Sequence, residues 1–232
     1  MDNARAMGGK AILVSLENGY GEFDIGNKGA FLNRVNNKSG ISGACRMPDG
    51  NTALGQDDTI LIVSATGAEV RRIAIPLGDN LRAINRNPET KSFWLSKTNL
   101  VYEISEAGTI KWMGNIGSGS TKGYAVWWTG MGGAWATTGE PSTIVEVSPA
   151  GMVVPGKTIG GRTQFAAIGL DFFSGFVRVP STGNFVVANW LGHPTAKLTA
   201  PHLVEFTPQN TVAWQWGTQT EARQITNVYI VR

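Results

Sequence analysis

No stretch of the chain constrains the fold more than Phe172 to Trp216. It holds four short runs rich in β-branched and aromatic residues: Phe176-Val-Arg-Val-Pro180, Phe185-Val-Val-Ala-Asn189, His202-Leu-Val-Glu-Phe206 and Thr211-Val-Ala-Trp-Gln-Trp216. Ser181-Thr-Gly-Asn184 separates the first two and Thr207-Pro-Gln-Asn210 the last two, and both carry turn chemistry. Four strands joined by hairpins form a sheet of the kind that propellers repeat around an axis.

The same pattern recurs. Residues 41–76 carry Ser42-Gly-Ala-Cys-Arg46, the turn Pro48-Asp-Gly-Asn51, Thr52-Ala-Leu-Gly-Gln56, Thr59-Ile-Leu-Ile-Val63 and Glu69-Val-Arg-Arg-Ile-Ala-Ile75. Residues 79–116 repeat it through Leu81–Arg86, Ser92–Ser96, Leu100–Ile104 and Thr109–Met113, and residues 124–161 give a looser copy. Copies spaced by roughly 40 to 50 residues are in the range of propeller blades. The N-terminal part supplies three runs, Lys10–Ser15, Gly21–Ile25 and Ala30–Arg34, that match second, third and fourth strands. Thr226–Arg232 matches the missing first strand, so the two ends of the chain would share one blade and hide both sheet edges. The expected fold is an all-β, five-bladed β-propeller of four-stranded antiparallel blades. It forms a single domain over 1–232, with blades at about 221–232 plus 1–40, 41–78, 79–121, 122–171 and 172–220.

The segments Val101–Trp112 and 177–216 share a strand, a turn and a strand ending in Trp, here Trp112 and Trp214. This unit resembles the repeats of quinoprotein-like (PQQ-type) propellers and their arylsulfotransferase-like relatives. A vicinal cysteine pair and a haem-attachment CxxCH are both missing, so the resemblance covers the repeat type and no cofactor is expected. Both tryptophans are read as packing an outer strand onto its neighbour.

A net charge of +3, with lysines and arginines scattered, argues against nucleic acid or an anionic membrane as partner. The expected partner is a small molecule or a glycan. The single Cys45 excludes an internal disulfide and a CxxC site, and its place in a strand suggests a buried, inert thiol. No run approaches the ~20 apolar residues of a membrane helix. The expected setting is secreted or periplasmic, with any signal peptide already removed. Thirty glycines suit a chain with many tight turns.

When the blades are aligned, the residues ending the second strands are Ser15, Gln56, Ser96, Thr137 (or Thr138) and Asn189, all polar. Just beyond them lie Glu17, Asp57, Asp58, Lys97, Glu140 and His193. Loops after second strands and loops between blades share one face of a propeller, so these residues are expected to line a polar central funnel. The binding set is Ser15, Glu17, Gln56, Ser96, Thr137, Asn189 and Trp190, with Trp190 and Trp128 as stacking platforms. An alternative is a hydrolase or lyase on a sugar or small molecule, with His193, Asp57 and Glu140 as acid and base. His193 and His202 match no zinc spacing, and no metal is expected. Arg46, Arg86, Arg178 and Arg232 recur at the opposite ends of the first strands and would form a basic rim at the far mouth. Neither a GxSxG elbow nor a Walker loop is present.

Overall fold

The computed structural model describes residues 11–16, 19–24, 30–36, 40–77, 81–87, 89–118, 121–192, 200–217, 225 and 227–231. Within them the chain forms twenty strands and one short 3₁₀ turn, Ala166–Ile168. The N-terminal strands are β1 (Ala11–Leu16), β2 (Gly19–Asp24) and β3 (Ala30–Asn36). The next sheet is β4 (Ile41–Arg46), β5 (Thr52–Gln56), β6 (Thr59–Val63) and β7 (Glu69–Ala74). It is followed by β8 (Arg82–Arg86), β9 (Phe93–Lys97), β10 (Leu100–Ile104) and β11 (Ile110–Asn115). Then come β12 (Val126–Trp128), β13 (Ala134–Thr137), β14 (Thr143–Val147) and β15 (Val153–Gly160). The last full sheet is β16 (Phe173–Arg178), β17 (Phe185–Asn189), β18 (Leu203–Phe206) and β19 (Val212–Trp216), and β20 (Asn227–Val231) ends the chain.

All strand pairs within the sheets are antiparallel neighbours in sequence except one: β20 pairs with β1, matching Val228 to Val14 and Tyr229 to Leu13. The sheet order is therefore β20-β1-β2-β3, and the C-terminal strand completes the N-terminal sheet. The sequence reading of five blades counts this shared sheet as one of them. Four blades are continuous in sequence, not five, and the remaining four-stranded sheet is a composite of the two chain ends.

Burial falls from the inner strand of a blade outwards, and the residues follow. In the β4–β7 blade, Ala44, Cys45, Ala53, Leu54, Ile60 and Leu61 are buried, whereas β7 exposes Glu69, Val70, Arg71, Arg72 and Ala74. An outer strand carrying arginines offers a poor template for further strand pairing. Burial pushes the Cys45 thiol up to about 12, which leaves it neutral and inert. Trp112 and Trp214 are only half-buried. Trp112 packs on Trp94 at 5.3 Å and its Nε1 donates to the Pro149 carbonyl at 3.0 Å, so it ties one blade to the next.

The inner strands β20, β4, β8, β12 and β16 follow one another around the axis, each in contact with the next. A Cβ at Gly43 would overlap the backbone of Ala83 and Ile84, and one at Gly175 would overlap Asn227. Only glycine allows that approach. Strands β4, β8 and β16 each shift register near this level, and Ala83 adopts φ +42° at the kink in β8. Two buried amides fill the centre. Asn85 Nδ2 donates to the carbonyls of Val126 (2.9 Å) and Phe176 (3.4 Å), and Asn227 Nδ2 to those of Ala44 (3.4 Å) and Ile84 (3.1 Å). Between them these two side chains touch all five inner strands.

Candidate functional site

The face carrying the second-to-third-strand turns is assembled by one repeated device. In three blades the turn hydrogen-bonds to the segment that enters the next. Leu81 N donates to Asp57 O at 3.0 Å, Gly123 N to Thr98 O at 2.5 Å and Phe173 N to Gly139 O at 3.3 Å. Three side chains beside these anchor points flank the axial mouth: Arg82 at the start of β8, Tyr124 two residues before β12, and Phe172 just before β16. Trp190, next after β17, joins them, and its N–H donates to Phe172 O at 2.8 Å.

These four residues form a connected string. The Arg82 guanidinium lies over the Tyr124 ring, 4.9 Å from its centroid. Tyr124 meets Phe172 edge-to-face at 4.5 Å, and Phe172 meets Trp190 at 5.5 Å and 75°. All four are half-buried, with part of each side chain open to solvent. Gly139, at φ +73°, leaves room for the Phe172 ring, which lies 3.0 Å from where a Cβ would stand.

The sequence-predicted residues divide into two groups. Ser96, Thr137 and Asn189 are buried, and their polar atoms are engaged within the protein. Ser96 Oγ donates to Arg82 O at 3.2 Å. Thr137 Oγ1 donates to Ser174 O at 2.7 Å and accepts from Ala125 N at 2.8 Å. Asn189 Oδ1 accepts from the amides of Asp171 (2.9 Å) and Phe172 (3.3 Å), while its Nδ2 donates to the carbonyls of Pro201 (2.9 Å) and Gly169 (3.4 Å). Ser96 and Thr137 satisfy backbone groups that bulged inner strands free from the ladder, and Asn189 satisfies those of the connections before β16 and β18.

Gln56, Asp57, Glu140 and Trp190 are the accessible members. Gln56 is half-buried and its Oε1 accepts from Arg72 at 3.2 Å, whereas Asp57 and Glu140 are exposed. Ser15 lies in β1, opposite Tyr20 and Asn227, with its side chain outside the described set. Glu17 and His193 lie outside the described residues. No contact among the described residues brings Asp57 and Glu140 together. Trp128 sits at the other end of its inner strand, stacked on Trp127 at 4.3 Å and packed against the core, away from Trp190.

At the far mouth two of the four arginines are engaged. Arg46 pairs with Glu22 and donates to Gly50 O at 2.7 Å, and Arg86 pairs with Glu106 while lying over Phe93. Arg178 is half-buried and Arg232 is outside the described residues. Among the described residues, no three of His, Cys, Asp and Glu converge as a metal site, and no helix is long and apolar enough to cross a membrane.

Sequence reasoning missed Arg82, Tyr124 and Phe172. Their signal was positional: each stands at the entry to an inner strand, where the connection from the preceding blade reaches the axis.

No protein-family model matches the chain, and no curated protein sequence does at a significant level. Solved structures do resemble it. A protein of unknown function from Bacteroides caccae matches with a TM-score of 0.65 and 20% identity, over 97% of this chain and 84% of that one. A streptogramin B lyase matches at 0.53 and 15%, over 91% of this chain and 65% of the lyase. The WD40 propeller domain of Doa1 matches at 0.52 and 12%, over 77% of this chain and 57% of that one. At these identities the likeness establishes a β-propeller of four-stranded antiparallel blades. It does not extend to a quinoprotein-like or arylsulfotransferase-like family. The chain spans less than two thirds of the lyase and of the WD40 domain.

Proposed function

We propose that this propeller binds a small molecule or a glycan at the mouth bounded by Tyr124, Phe172 and Trp190. The observation that carries the reading is the half-buried aromatic string at the axis. Exposing part of three adjacent aromatic rings costs hydrophobic free energy, which a flat ligand covering them would recover. Gln56, Asp57 and Glu140 at the accessible rim supply hydrogen-bonding groups of the kind a hydroxylated ligand needs. The site lies where the connections into β8, β12 and β16 meet, at the end of an axis that the inner strands pack closely around at Gly43 and Gly175. Ser96, Thr137 and Asn189 support its wall.

The reading is tested by screening a glycan array and a ring-compound library by ligand-observed NMR with parent protein, Phe172→Ala and Trp190→Ala. Each variant should weaken binding roughly tenfold, the scale of a lost stacking contact of about 1–2 kcal/mol. Ligands bound equally by all three proteins would place the site elsewhere.

A second reading, lyase or hydrolase chemistry, draws support from the fold likeness to a streptogramin B lyase. Its acid and base would be drawn from Asp57, Glu140 and His193. Asp57→Asn and Glu140→Gln should then each cut turnover by roughly 10²–10⁴ with little change in affinity. Unchanged turnover in both would remove these carboxylates from the reaction.

A further inference from the structure

Arg82 differs from the paired cations of this face and from Lys122, which is exposed. Arg162 pairs with Asp171, Arg72 pairs with Glu69, and Lys97 donates to the Leu77 carbonyl. Arg82 forms no ion pair among the described residues, and no hydrogen bond fixes its guanidinium. Its backbone does structural work, since its carbonyl accepts from Ser96, while among the described residues its guanidinium is seated on the face of Tyr124. That contact orients the guanidinium beside the axis and leaves its planar N–H fork unspent. A guanidinium partly removed from water, and lacking a carboxylate, gains more from an incoming anion than a fully solvated one does. Its nearest aromatic neighbours are the rings of the proposed site.

We propose that the mouth is selective for ring compounds carrying a carboxylate, the ring lying against Tyr124, Phe172 and Trp190 and the carboxylate engaging Arg82. This rests on the binding site argued above and adds the chemical class of its ligand. Three acidic residues of this face have a cation nearby, and Glu140 is exposed to solvent, which screens its charge. Arg162 holds Asp171, and Arg72, whose pKa is raised first by its hydrogen bond with Glu69, also lies close enough to feel the charges of Asp57 and Asp58. Two sources share the chemistry: an aromatic acid, with a flat π face, and a sugar acid, with an apolar ring face and hydroxyls.

Isothermal titration separates them with two matched pairs, phenylacetate against phenylacetamide and glucuronate against glucuronamide, on the intact chain at low salt. Within whichever pair binds, the acid should bind roughly ten- to a hundredfold tighter than the amide, the range of a charge-assisted hydrogen bond. Added salt should shrink that preference. Arg82→Gln, checked by its melt, should abolish the preference while leaving the amide's affinity in place. Should that variant not fold, the acid-to-amide ratio of the parent and its salt dependence still decide the matter. Equal binding of acid and amide overturns the charge selectivity and leaves the aromatic mouth standing. So does a preference that survives Arg82→Gln, since the anion would then be held elsewhere. If no member of either pair binds the parent at roughly 10 mM, weaker than about −3 kcal/mol, this inference and the aromatic mouth both fall.

Discussion

The axis and the mouth lie one above the other, yet they treat polar and apolar groups in opposite ways. At the axis every strand approach is tight, and the amides of Asn85 and Asn227 donate both of their protons to backbone carbonyls of other strands. At the mouth, aromatic rings stay half-exposed and the Arg82 side chain has no ion-pair partner among the described residues. A fold has reason to satisfy every buried polar group and cover every ring it can. At the axis the amide donors meet that rule, although Asn85 Oδ1 and Asn227 Oδ1 are buried without a partner among the described residues, and at the mouth the rings are left uncovered. Departures of the second kind mark where stability has been left for a ligand to supply.

The largest expected effect breaks the axis. Gly175→Val would drive a branched side chain into Asn227 and should abolish folding. Asn227→Ala is the milder probe, leaving the Ala44 and Ile84 carbonyls without their donor. It should cost about 2–4 kcal/mol, for two buried hydrogen bonds. Urea denaturation followed by tryptophan fluorescence would show this as a lower midpoint at an unchanged slope. A parent-like midpoint for Asn227→Ala would mean that water already reaches the axis, and the contrast with the mouth would vanish.

A second comparison uses neighbours in sequence. Asn189 and Trp190 are adjacent, yet one belongs to the wall and the other to the mouth. Asn189 makes four hydrogen bonds that hold the entry to β16 and the end of the long loop. Asn189→Ala should cost about 2–3 kcal/mol of stability. Trp190→Ala should cost about 1 kcal/mol, since the ring is only half-buried and its edge contact with Phe172 is modest. Affinity should reverse the order, with Trp190→Ala the more damaging. Matching thermal melts and matching affinities for the two variants would erase the distinction.

The repeat carried most of the fold into view. Alternating apolar runs and Gly-bearing turns located the strands, and the three-strand start with a one-strand tail foretold the β20–β1 pairing. The close packing at the axis was harder to read, because it depends on backbones meeting across long sequence separations: Gly43 with Ala83, Gly175 with Asn227. Glycines inside otherwise apolar inner strands were the available sign of such an approach. The polar ring was legible as a set of positions but not as a function. A hydroxyl at a strand end can face a ligand or the carbonyl of a bulged neighbour, and Ser96 and Thr137 take the second course. Arg82, Tyr124 and Phe172 stayed hidden because side chains from three separate connections meet only once the ring is built.

The smallest effect lies between these regions, in the wall of the β16–β19 blade. His202 and Glu205 are both buried there, three residues apart. Neither ring nitrogen of His202 has a partner, and desolvation lowers its pKa. Glu205 accepts from Asn184 Nδ2 at 2.6 Å through one oxygen and leaves the other unpartnered, and desolvation raises its pKa. The two act in opposite directions. Unfolded chains bind the more protons at His202, so its contribution is intact above the ordinary histidine value of 6.5 and is lost as pH falls below it. At Glu205 the native state binds the more protons. Its contribution is intact below the ordinary value of 4.5 and is lost as pH rises through the elevated native value. Glu205→Gln keeps an acceptor for Asn184 and removes the charge. It should therefore raise the melting temperature at pH 7 to 8 by a few degrees, about 1 kcal/mol for relieving an unpartnered buried carboxylate oxygen, with no gain near pH 4. His202→Phe should flatten the acid side of the profile, keep the packing against Trp216 and leave the alkaline side alone. A Glu205→Gln gain that persists undiminished at pH 4 would show that charge is not its origin. The wall would then resemble the axis, where packing and hydrogen bonds decide stability without help from titration.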